Sequence, residues 1–111
     1  MIHLIALSAT LLIEGVGMAL LALLLPGWRP HWRRAVLVAL GLNLVSHTIF
    51  WYTLPLILLP PSTAIPAAEL AVVIAEGAVY AATVARPPWS GWLVSLALNY
   101  ASWALSAYIW R

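Results

Sequence analysis

Cysteine is absent from the 111 residues, which removes disulfides and thiolate metal sites and leaves the redox compartment unread. Charge is scarce as well: 7% of residues are Asp, Glu, Lys or Arg, and only three are acidic. Soluble domains average about 25% charged and roughly 45–50% apolar residues, whereas this chain is 65% hydrophobic with a mean hydropathy of +1.02. So few polar side chains cannot cover a soluble surface, and the soluble classes are excluded. The net charge of +2 comes from a few arginines and speaks to membrane topology, with no signal for nucleic acid.

What the chain does have is four apolar blocks separated by short breaks rich in Pro, Gly and Arg. Each block is about 20 residues or more, the length a helix needs to cross roughly 30 Å of hydrocarbon. The expectation is an all-α fold: a single transmembrane domain over residues 1–111, folded as an up-down-up-down four-helix bundle. Helices are predicted over about 2–25, 32–56, 66–85 and 89–110. Pro26-Gly27 stops the first, because proline cannot extend a helix, and Pro55 kinks or ends the second. For the third, Ser62 or Thr63 is the expected cap and Pro66 the first-turn residue. The first block lacks a basic leading segment, is too long for a signal-peptide core and carries Glu14 at its centre, so it is expected to remain in the mature protein.

Arg29, Arg33, Arg34 and Arg86 fall on one side of four spans, with Arg111 on the other. Arginine is retained on the cytoplasmic side. Both termini are therefore expected outside, with the chain as a multi-pass protein of the cell inner (cytoplasmic) membrane. Trp28, Trp32, Trp89 and Trp92 read as anchors at the inner interface, and Trp51, Tyr52, Tyr108 and Trp110 as anchors at the outer one.

The acids fall where a membrane protein least tolerates them. Glu14, Asn43, His47, Glu76 and Asn99 each lie about half a span from the ends of their helices, so a rise of about 1.5 Å per residue sets them at one level. An ionised group there costs on the order of 2.5–3.5 kcal/mol, which directs it toward the bundle interior and a partner. Glu69 and Glu76 share one helical stripe, with Tyr80 a turn beyond. Asn43, Ser46, His47 and Phe50 form another, Ser95, Asn99, Ser102 and Ser106 a third, and Thr10, Glu14 and Gly17 a shorter one. Such stripes also serve plain helix packing, because small residues bring backbones close and hydroxyls bond across. Glu69 has a structural reading of its own, in the first turn after Pro66, where a helix N-terminus favours an acid.

An ionisable residue at mid-membrane is by default a candidate proton, ion or substrate site. The candidate ion- or proton-binding residues are Glu14, His47, Glu76, Glu69, Asn43 and Asn99, and the candidate metal ligands for a divalent ion are His47, Glu76 and Glu14. No Glu-x-x-His or His-Glu-x-x-His motif is present, and His3 and His31 sit too far from His47 in depth to share a haem with it. A haem or pigment metal held by His47 together with another subunit stays open. Nucleophilic catalysis is weakly supported, since Ser46 and His47 are helix neighbours pointing about 100° apart, and Ser95 or Ser102 would have to approach from another helix.

Asn43-Leu44-Val45-Ser46-His47 with Trp51 and Pro55, then Glu69-Leu70, Glu76 and Tyr80, then Ser95-Leu96, Asn99 and Ser102 resemble a pattern recurring in uncharacterised small four-helix prokaryotic integral membrane proteins. The resemblance covers about two thirds of the chain and implies no activity. A fainter one, limited to Ile13-Glu14-Gly15-Val16-Gly17, is to helix 1 of the small multidrug resistance family, and it implies that Glu14 couples proton movement to transport. The sequence departs from that family in carrying Glu69, Glu76 and His47 on its middle helices. The expected function is binding of a proton or metal cation at the midplane, as a transporter or a component of one. The alternative is an accessory subunit of a larger respiratory, photosynthetic or secretion complex. Expected partners are the lipid bilayer and either further copies of the chain or such a complex.

Overall fold

The structure, a computed structural model, describes residues 2–56, 58 and 60–109, with side chains for all of these except 2, 3, 54, 61 and 106–109. It is all-helical: α1 (Ile2–Leu24), α2 (Trp32–Thr53), α3 (Pro61–Thr83) and α4 (Ser90–Ile109), with no strand among the described residues. Trp110, Arg111 and the side chains of His3, Ser106 and Tyr108 lie outside the described residues. Three segments are long and apolar enough to cross a membrane: Leu4–Leu24, Arg29–Thr53 and Ser62–Thr83. The long axis of 42 Å matches a bilayer of about 40–45 Å including headgroups.

The helix ends follow local chemistry. At the end of α1, Arg29 Nε donates to the Leu23 carbonyl at 2.9 Å, supplying a partner to one of the last carbonyls that the helix itself leaves open. α2 finishes at Thr53 and passes into a single 3-10 turn, Leu54–Leu56, that contains Pro55. α3 begins at Pro61, earlier than the sequence suggests. The Pro60 carbonyl accepts from the Thr63 and Ala64 amides at 2.9 and 2.8 Å, so a turn already exists before Pro66, which lies inside the helix. Pro61, at the first helical position, is tolerated because its missing N–H has no partner there anyway. Two expectations are thereby corrected. Ser62 and Thr63 are helical residues, and the cap position is Pro60, with no side-chain cap bond. Glu69 lies roughly two turns in, beyond the reach of the helix N-terminus.

α1 packs along α2, α3 along α4, and α1 also on α4, whereas α2 barely touches α3. Small side chains explain the tight seams. Ala22, Ala35 and Ala39 are fully buried with Met18 between α1 and α2. A Cβ on Gly17 would lie 2.8 Å from Leu98 Cδ2 across the α1–α4 seam. Between α3 and α4, a Cβ on Gly91 would lie 2.8 Å from both the Ala81 amide nitrogen and the Gly77 carbonyl oxygen, so only glycine permits that approach. Ser95 Oγ donates to the Val73 carbonyl at 2.8 Å and Trp92 Nε1 to the Ile74 carbonyl at 3.2 Å. Interhelical bonds of this kind contribute about 0.6 kcal/mol each in a membrane.

The two arginine-bearing breaks meet. Gly27 is packed on the Arg86 carbonyl, and Trp28 Nε1 donates to Ser90 Oγ at 2.9 Å while Ser90 Oγ donates to the Pro87 carbonyl at 2.6 Å. Trp28 is 1% exposed, with its ring 5.9 Å from that of Tyr80, also 1% exposed. The sequence reading of Trp28 as an interfacial anchor is therefore corrected: it is the plug that ties the two breaks together.

Candidate functional site

Half a helix away from that plug, the polar stripes turn inward on all four helices. Glu14 is 1% exposed, and Asn43, Glu76, Ser95 and Ser102 are also buried. Most of the large exposed side chains of the same helices are apolar, among them Leu12, Leu37, Leu70 and Leu96. The helical period produces this division, since residues three and four apart share a face.

A cavity of about 260 Å³ lies among the stripes. Glu14 and Thr10 reach it from α1, Asn43 and His47 from α2, Glu69 from α3, and Asn99 and Ser102 from α4. Five of the six candidate residues read from the sequence are thus neighbours around one space. The sixth, Glu76, is 3% exposed and lines a separate, apolar groove between α2 and α3. It is connected to the cavity through its partners: Asn99 Nδ2 donates to Glu76 Oε1 at 2.8 Å and Ser46 Oγ donates to Oε2 at 3.1 Å. Both donors line the polar cavity.

The amide donors are held in place by their own helices. Asn99 Nδ2 also donates to the Ser95 carbonyl at 2.8 Å, and Asn43 Nδ2 to the Ala39 carbonyl at 2.7 Å. Each bond spans four residues of its own helix and fixes the amide toward the interior. The His47 ring stacks on Trp51, with centroids 6.1 Å apart and an interplanar angle of 14°. Glu14 Oε2 is buried and accepts no hydrogen bond among the described residues. A buried carboxyl oxygen without a donor loses its hydration with nothing in exchange, and Glu14 is part of the cavity wall.

Among the described residues, no three His, Cys, Asp or Glu side chains cluster closely enough to hold a metal ion. His47, Glu76 and Glu14, expected as ligands of one divalent ion, do not assemble as a ligand triad in this arrangement. Two of the three serines considered for nucleophilic chemistry are engaged elsewhere, while Ser102 shares the cavity with His47. Ser46 donates to Glu76 and Ser95 to the Val73 carbonyl.

Sequence reasoning missed the aromatic part of the wall. Trp103 lines the cavity, and its signal was present, because it lies four residues after Asn99 on the polar stripe of α4. Trp51 reads as an interfacial anchor in the sequence, and it is also the ring beside His47. The pairing of Ser46 with Glu76, 30 residues apart, had no sequence signal. No known protein family, curated protein or solved structure matches the chain.

Proposed function

We propose that the chain is a four-span membrane protein whose interior cavity binds a proton or small cation, acting as a transporter or as a component of one. In this reading α4 is the fourth span, the helices run up-down-up-down, and the arginine-bearing breaks face the cytoplasm with both termini outside. The supporting observation is a polar cavity at mid-span, with two carboxyls and an imidazole on its wall and one buried carboxyl oxygen lacking a donor. An interior ionisable group in a membrane is expensive to keep, and it is retained most readily where it handles charge. Because no three-ligand cluster occurs among the described residues, the proton is favoured over a divalent metal.

The test is proton and cation flux in liposomes containing the purified protein. Glu14→Gln is expected to abolish flux, and Glu76→Gln to reduce it about tenfold by weakening the Asn99 and Ser46 bonds. Flux unchanged in both variants overturns the reading. A second reading, an accessory subunit of a larger membrane complex, draws on the loosely packed α2–α3 seam, where a partner helix would find an apolar face. A stoichiometric complex surviving purification in mild detergent would favour it.

A further inference from the structure

The α2–α3 seam is the weak point of the bundle, and it adjoins the polar cavity. The apolar groove there has a volume of about 410 Å³. On α3 its wall is made of Ala68, Ala71 and Ala75, small residues that leave space, and on α2 of Val45 and Ile49. Ser46, Phe50 and Val72 line both the groove and the polar cavity, so the two spaces share a wall. The Ser46–Glu76 hydrogen bond crosses the seam at that wall. A neutral or charge-assisted bond of 3.1 Å is weak enough to open by rotation of one serine side chain.

The two spaces differ in chemistry. The groove is apolar and opens sideways, toward what would be lipid, whereas the cavity behind it presents carboxyls, amides and an imidazole. Among the described residues, no arginine lines either one. Glu14 Oε2, buried and without a donor, supplies the complementary demand: whatever enters should bring an N–H or O–H.

We propose that the α2–α3 seam is a lateral portal for a membrane-dissolved amphiphile whose apolar chain lies in the groove and whose hydrogen-bond-donating, non-anionic head reaches Glu14 in the polar cavity. The Ser46–Glu76 bond is the clasp of the portal. The inference rests on the cavity being a binding site, as proposed above, and adds the ligand class and the route. Among the described residues no arginine or lysine lines either space to pair with the charge of a fatty acid or phosphate head, whereas an alcohol or an amine supplies the missing donor equally well.

The experiment uses the full chain in nanodiscs with three photoreactive probes, a long-chain alcohol, a long-chain amine and a fatty acid, each carrying a diazirine in its chain. The alcohol, the amine or both should label the groove residues of α2 and α3, and unmodified long-chain alcohol or amine should compete. The fatty acid should label about tenfold less. Ala71→Phe fills the groove from an exposed position and should remove the labelling, while Leu37→Phe, on an exposed face of α2 away from the groove, should not. Glu14→Gln should weaken competition about tenfold. Equal labelling by all three probes, indifferent to Ala71→Phe, would show ordinary lipid contact and overturn the proposal. Labelling confined to Leu70 and Leu96, on the α3–α4 side, or a co-purifying helix seated on the seam, would overturn it too. Proton flux by the unaltered protein with no selective labelling would remove the portal and leave the cation reading intact.

Discussion

At the arginine-bearing end, Trp28, Tyr80, Val84 and Ala85 are sealed from the surroundings and the two breaks are bonded through Ser90. Half a helix away, Glu14, His47 and Glu69 surround open space, and α2 stands apart from α3. The same four helices thus make a close-packed base and a hollow upper half. Interiors normally reach the density of organic crystals, so a hollow in one half has to be carried by the packing of the other. The base fixes where the helices stand, and the hollow half is free to exchange contacts. Local opening is expected at the end with fewer buried apolar contacts.

Three substitutions would break or sharpen that contrast. The largest effect is expected for Trp28→Ala, which empties the plug and leaves Ser90 without its donor; it should lose about 3–5 kcal/mol in unfolding measured in mixed micelles. A loss below about 1 kcal/mol would mean the base is not the stable half. Gly27→Ala places a methyl group against the Arg86 carbonyl, backbone that cannot swing aside, and should lose about 1–3 kcal/mol in the same assay. Both variants, where folded, should retain ligand binding per molecule, because neither residue touches the cavity. The smallest effect on stability is expected at the hollow end. Glu14→Leu removes a buried oxygen that has no donor, so stability should change by less than about 0.5 kcal/mol or rise slightly, while binding in the flux and labelling assays is lost. A large destabilisation by Glu14→Leu would instead make the carboxyl a structural element.

Much of the site was legible because its residues are chemically out of place. Glu14, Glu69 and His47 stand out in apolar blocks, and the helical period alone sends them to interior faces with Asn43 and Asn99. Glu76 was legible as an interior acid, but its position on the wall between a groove and a cavity was not. That position depends on how far α2 stands from α3, a distance that no local pattern encodes. Glu69 was misread in part because Pro66 looks like a helix start, whereas the Pro60 carbonyl nucleates the helix a turn earlier. Trp28 was misread because tryptophan beside arginine is ordinary at a membrane surface, and its partner Ser90 is 62 residues away.

By itself the sequence determined the helices and the identity of the inward faces. Both follow from local rules: backbone groups in hydrocarbon must bond within their own segment, and a polar side chain in a helix repeats every three or four residues. Only the tertiary structure decided that the seam between α1 and α4 is closed while that between α2 and α3 is open, and that the arginine-bearing breaks lock onto each other. Those outcomes come from contacts between residues tens of positions apart, where one glycine or one buried tryptophan sets the distance between whole helices.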